Sequence, residues 1–274
     1  MTWLLEPLSQ GFMVRALVAG MLVGGLCATI GVFVVQRGMA FIGDGLAHAA
    51  FGGIALGLVL QLAPERATWI ALPFTVLIAL GIGYVLRRGK LRGDVATGVF
   101  FSVSFALGVL LLGLRPTDAP PVNVESVLFG SILAISRQDL WVIGGVAAAT
   151  ALALLALWSR LAYATFDPEL ASLSGVPVAA LDYTLLALTA VVTVVSVKTV
   201  GIALVSSFVV IPAATARMLG RSIGRVALLA VLVGVLGAAV GLVLSYHLNV
   251  ASGATIILTL GAVFGLVLAT RRGG

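Results

Sequence analysis

Apolar runs of about 20 residues follow one another along almost the whole chain, broken by short clusters of arginine, proline, glycine or acidic residues. A helix of that length matches the hydrocarbon thickness of a bilayer. Windows of about 19 residues place candidate spans at 12–35, 39–62, 68–86, 95–114, 140–159, 178–197, 200–219, 226–246 and 252–270. The pattern predicts an all-α fold: one polytopic transmembrane bundle over residues 1–274, with eight to nine spans. The 200–219 run is the weakest as a simple span. It contains Pro212 and several small polar residues, and a broken or re-entrant helix is tolerated in a membrane where protein covers it.

Two connections depart from the pattern. Residues 115–139, "RPTDAPPVNVESVLFGSILAISRQD", combine a Pro120-Pro121 pair with the half-apolar "VLFGSIL". They predict an outer loop carrying a short helix or re-entrant turn. Residues 160–180, "RLAYATFDPELASLSGVPVAA", place Asp167 before Pro168. That is an N-cap followed by proline at the first helical position, and Gly175 with Pro177 ends the helix. A helix of roughly two turns is predicted within about 163–177.

Charge orients the bundle. Arg37, Arg87, Arg88, Lys90, Arg92, Arg160, Arg217, Arg221, Arg225, Arg271 and Arg272 gather on one side of the spans, against Arg15, Arg66, Arg115, Arg137 and Lys198 on the other. The first side is therefore cytoplasmic, and the 163–177 segment lies there. Nine spans put the N-terminus outside and eight put it inside. Charged residues make up 9% of the chain and hydrophobic ones 61%, whereas soluble domains carry about 25% charged residues. A soluble class is excluded. The pI near 10.2 reflects basic residues at the ends of the spans, not nucleic-acid binding. The one cysteine, Cys27, lies in the first apolar run, so neither a disulfide framework nor a thiolate metal cluster is expected. The start "MTWLLEPLSQGFMVRALVAG" lacks a basic region and a small-residue cleavage site, and reads as a lead into the first span. Small-xxx-small spacing at Gly20/Gly24, Gly53/Gly57, Gly237/Gly241 and Gly261/Gly265 predicts close helix packing.

The stretch "FIGDGLAHAAFGGIALG" places Asp44 and His48 inside an apolar run. Four residues apart on a helix, they share one face. An aspartate at the centre of a span costs about 2.5–3.5 kcal/mol on insertion scales, so it must face the bundle interior, a partner or a watery path. Carboxylate and imidazole on one face form half of a site for Mn, Fe or Zn. Two simpler readings stand beside this one: the side chains hydrogen-bond each other and lock packing, or both lie close enough to an interface to be hydrated. His247 sits at the outer end of the 226–246 run, as a weaker ligand candidate or a solvated interfacial ring. Asp118 and Glu125 of the outer loop form an electronegative funnel for a cation or are plain loop charges. Asp94 reads as an N-cap and Lys198 as a side chain snorkelling to headgroups. "GYVLRRGKL" has the wrong spacing for a phosphate-binding loop. No hydrolase triad or zinc-protease motif appears, so no enzymatic activity is expected, and the energy for active transport must come from another chain or an ion gradient.

Five blocks resemble the membrane subunits of metal-ion ABC importers, the manganese/zinc/iron permease class. They are "GDGLAHAAFGGIALG", "GDVATGVFFSVSFALGVLLL" with "VLFGSIL", "FDPELASLSGV" and "VGIALVSSFVVIPAATARML", in the family's order from about residue 39 to 220. Ala47 stands where the family usually has Ser, and Gly52 where it usually has Pro. The resemblance implies a multi-pass cell-membrane permease that pairs with a second copy of itself. It further implies a cytoplasmic ATPase that uses ATP, and an extracytoplasmic binding protein that delivers the metal. No cofactor would be held stably; the metal is cargo. Asp44 and His48 would lie in the translocation path. Phe166, Asp167, Glu169, Ala171 and Gly175 match the segment that docks on the ATPase. A proton-driven metal carrier and a permease for iron chelates or cobalamin are the alternatives.

Overall fold

The computed structural model describes residue 6 and residues 9–89, 91–115 and 132–272. Its helices are α1 (Gly11–Gln36), α2 (Ile42–Val59), α3 (Pro64–Gly89), α4 (Gly93–Gly113), α5 (Arg137–Phe166), α6 (Pro168–Leu173), α7 (Val178–Val200), α8 (Ile202–Leu219), α9 (Ile223–Leu248) and α10 (Ser252–Arg272). A 3-10 turn, Ile132–Ala134, precedes α5, and the described residues contain no strand. Every helix except α6 is long and apolar enough to cross a membrane, giving nine spans among the described residues. With the arginine-rich ends cytoplasmic, α1 begins outside. The protein is a multi-pass membrane protein. Most of the expected 115–139 loop, including Asp118 and Glu125, lies outside the described residues.

The 200–219 run is a full helix. α8 passes unbroken through Pro212, as α3 does through Pro73. Proline removes one backbone donor from a helix, and here Pro212 is buried among neighbouring helices, where lipid never meets the freed carbonyl. α2 and α8 are the shortest spans at 18 residues, about 27 Å each. α5 is the longest at 30 residues, about 45 Å. It starts earlier than hydropathy suggests because Ser136 and Asp139 form a reciprocal capping box. It ends later because no breaker intervenes before Asp167-Pro168. It therefore projects past the hydrocarbon core and carries α6 with it.

α6 has the predicted caps. The Asp167 carboxylate accepts from Leu170 N–H at 2.9 Å and Pro168 occupies the first turn. At the other end Val176 N–H donates to Ala171 O and Gly175 N–H to Ser172 O, with Gly175 at φ +80°. This left-handed closure favours glycine. α1 ends the same way on Gly38 (φ +68°), with Met39 N–H reaching Val34 O.

In lipid, helix association rests on van der Waals packing and on small residues that admit close backbones. α1 is the hub, packed against α5, α7, α8 and α9. A Cβ on Gly24 would lie 2.7 Å from the Gly234 carbonyl, and one on Gly234 2.5 Å from the Gly24 carbonyl, so α1 and α9 cross on paired glycines. Gly31 of α1 is closer still to α8: its Cβ would sit 1.9 Å from Val209 O. α2 packs on α3 through Gly53 and Gly57, facing Ala71 and Ala67. Gly241 serves α10 through Ile256, whereas Gly261 and Gly265, with the same spacing, face open space.

Two expectations are corrected. Asp94 is not an N-cap: Arg92 holds that position without a side-chain bond, and Asp94 accepts from Phe41 N–H at 3.4 Å. It joins the starts of α2 and α4. Lys198 does more than snorkel, because its ammonium donates to Asp139 at 2.9 Å, a pairing between α7 and α5 that no local pattern reveals.

Candidate functional site

The Gly38 turn delivers the chain into α2, and Asp44 falls in that helix's first turn. It is thus nearer the cytoplasmic end than the span centre assumed from hydropathy. A carboxylate there meets the positive end of the helix dipole, a stabilisation of about 0.3–1 kcal/mol. Its side chain is 40% exposed, against 19% for His48, so Asp44 is the more reachable group.

The two side chains do share one face, but they do not hydrogen-bond each other. His48 Nδ1 lies 3.6 Å from the Asp44 carboxylate and 2.9 Å from the Asp44 backbone oxygen. A carbonyl only accepts, so Nδ1 carries the proton and, in the neutral ring, Nε2 keeps a free lone pair. The ring is wedged against α4, edge-on to Phe101 at 4.6 Å and Phe105 at 5.6 Å. Phe51 continues this aromatic wall, 5.5 Å from Phe105. Gly52, the departure from the family's proline, brings α2 so close to α4 that a Cβ would lie 2.7 Å from Ser104 O.

Asp44 opens into a cleft of about 340 Å³ between α2 and α8, lined by Ala40, Phe41, Asp44, Ser206, Ser207, Val210 and Ile211. The two helices run antiparallel. The carboxylate and both hydroxyls therefore occupy the outward end of the cleft, and Phe41, Val210 and Ile211 its cytoplasmic end. Among the described residues, no group of three or more His, Cys, Asp or Glu side chains could hold a metal. A cation in the cleft at Asp44 would complete its shell with oxygen from hydroxyls, carbonyls or water, since His48 is not among the lining residues. Ser206 and Ser207 escaped the sequence reading because hydroxyls are common in helices, and nothing local pairs them with α2.

His247 is not part of this site. It lies in the last turn of α9, at the outer end of the bundle, with its ring edge-on to Tyr246 at 5.3 Å. Near it in depth, but on α3, α5 and α7, a cleft of about 630 Å³ surrounds the Asp139–Lys198 pair and includes Arg66 and Trp69.

The cytoplasmic end holds a charge cluster that the sequence reading missed. Asp182 of α7 receives Arg37 of α1 on one oxygen and Arg87 of α3, at 3.3 Å, on the other. Arg37 Nε also donates to Thr165 of α5 at 3.0 Å. Four helices meet here, at the foot of α6, around a cavity of about 420 Å³. A lone acid at the basic end of a span was the available signal. Beyond the cluster, Phe166, Leu170 and Leu173 are exposed, Leu173 by 86%, while Ala171 is fully buried. Asp167, Glu169 and Gly175 are exposed beside them.

Comparison with known proteins agrees with this architecture. The ABC 3 transport family pattern matches residues 9–271. The "Manganese transport system membrane protein MntC" of Halalkalibacterium halodurans is 38% identical over 95% of this chain and 88% of its own length. A "Probable iron transport system membrane protein" of Haemophilus influenzae is 32% identical, over 93% of this chain and 88% of its own. The solved structure "PsaBC from Streptococcus pneumoniae in complex with Fab" superposes with a TM-score of 0.82 at 31% identity, covering 96% of this chain and 94% of the other.

Proposed function

The chain belongs to the ABC 3 transport family, and from that premise we propose that it imports a bare divalent transition-metal ion, manganese foremost, using ATP hydrolysed by a separate subunit. As a permease it is not itself an enzyme. The observation that carries the cargo reading is the Asp44 carboxylate, partly exposed in a membrane-embedded cleft, with His48 on the same helix face. Such a group in a span persists where it meets a cation or a watery path. The name of the Halalkalibacterium halodurans relative supports manganese. Iron is the second reading, supported by the name of the Haemophilus influenzae relative. His247, at the other end of the bundle, is not included in the path.

The long α5 and the doubly capped α6 make a rigid cytoplasmic projection. Exposed Phe166, Leu170 and Leu173, with Asp167, Glu169 and Gly175, suit insertion into a groove of the ATPase, while buried Ala171 fixes α6 to the bundle. Movement of α6 would reach α1, α3 and α7 through the Arg37–Asp182–Arg87 cluster. A second copy of the chain and an extracytoplasmic binding protein complete the assembly. Metal selectivity is shared with that binding protein.

The test is uptake of radiolabelled manganese into proteoliposomes holding the permease with its ATPase and binding protein. Asp44→Ala and His48→Ala should each lower the ATP-dependent rate at least tenfold, about 1.4 kcal/mol. An undiminished rate in the double variant rejects the path, and failure of any ATPase to bind rejects the energy source.

A further inference from the structure

Asp44 shares its cleft with two hydroxyls from α8. Ser206 and Ser207 line the same 340 Å³ space, both half-buried. Each hydroxyl spends its one hydrogen on its own helix: Ser207 donates to Ala203 O at 2.8 Å, and Ser206 to Ala203 O at 3.1 Å or Ile202 O at 3.3 Å. A hydroxyl that has donated backwards keeps its lone pairs for a cation. One turn further toward the cytoplasm the lining becomes apolar, with Phe41, Val210 and Ile211. The oxygens thus sit above an apolar floor. Along that face of α8 Ala203 and Arg217 are exposed, and Val210, Ile211 and Ala214 are half-buried.

We propose that Ser206 and Ser207 ligate the travelling ion together with Asp44 and bias the path toward hard divalent ions. The inference rests on the reading of Asp44 as a metal-path residue. His48 faces Phe101 and Phe105 and does not line the cleft, so the ion's nearest donors are oxygens. Carboxylate and neutral oxygen suit Mn, whereas thiolate and imidazole suit softer ions such as Zn and Cd.

The experiment uses the full complex in proteoliposomes, with radiolabelled manganese and cadmium taken up in competition. In Ser206→Ala/Ser207→Ala the Mn:Cd ratio should fall about tenfold, the low end of losses seen when partners of a metal site are removed. Ser206→Thr/Ser207→Thr, which keeps both oxygens, should hold the parent ratio. Ser206→Cys/Ser207→Cys, of similar size but soft, should turn the ratio toward cadmium. A purely structural role would depress both ions together and leave the ratio alone. The inference is overturned if the alanine and cysteine pairs keep the parent ratio while Asp44→Ala abolishes uptake; the metal path then stands without the serines. Parent-level uptake by Asp44→Ala overturns path and inference together.

Discussion

Gly31→Ala adds one methyl group where α1 meets α8, and the structure sets its consequence. The new Cβ would lie 1.9 Å from Val209 O. Ordinary carbon–oxygen contacts fall at about 3.3–3.6 Å, so the helices must separate by roughly 1.4 Å at that point. A gap of about 0.5–1 Å already forfeits a quarter to a half of each dispersion contact along the seam. Overpacking typically costs about 1–3 kcal/mol. The obstructing atom here is a backbone carbonyl, which cannot rotate away as a side chain can, so at least about 3 kcal/mol is expected. Thermal unfolding of the purified protein in detergent, followed by loss of monodisperse material after graded heating, should show a clear drop for Gly31→Ala. Gly261→Ala, with open space around its Cβ, should match the parent. Equal unfolding temperatures for the two variants would refute the account of α1 as a hub held by backbone contact. Val209 adjoins Val210 of the cleft, so manganese uptake should fall with stability in Gly31→Ala.

Other consequences can be measured on the same material. Asp182→Ala leaves Arg37 without its carboxylate and should cost about 1.5–3 kcal/mol, the range for hydrogen bonds to charged groups; Arg37→Met added to it should recover part of the loss in a double-mutant cycle of thermal stability. Lys198→Met, which breaks a half-exposed pair with Asp139, should change stability by no more than about 1 kcal/mol, and a loss comparable to that of Asp182→Ala would contradict that ranking. Leu173→Asp, at an 86% exposed position, should leave the unfolding temperature unchanged yet weaken co-purification of the ATPase. Phe101→Ala removes the ring edge-on to His48 and should raise the KM for manganese more than it lowers the maximal rate, because the imidazole loses its fixed orientation.

The spans, to within the choice of eight or nine that Pro212 left open, and the caps of α6 were legible in the chain because each depends on neighbours in sequence. A helix in lipid must satisfy its own backbone, so apolar length alone reports it, and Asp167, Pro168 and Gly175 act within a few residues of themselves. The shared face of Asp44 and His48 follows from four-residue spacing in the same way. Local rules failed where a side chain answered to another helix. Asp94 looked like a cap and instead holds Phe41; Lys198 looked interfacial and instead pairs with Asp139.

The sequence by itself therefore settled a helical membrane bundle of eight or nine spans, with a cytoplasmic projection and one ionisable helix face; the ninth span was decided by the structure. Only the tertiary structure decided that Asp44 looks into a cleft shared with Ser206 and Ser207 while His48 turns to Phe101 and Phe105, that Asp182 gathers Arg37 and Arg87, and that Gly31 but not Gly261 touches a neighbouring backbone. Segments distant along the chain meet through the order in which helices pack. That order is set by the summed fit of many small contacts, which no single stretch of sequence contains.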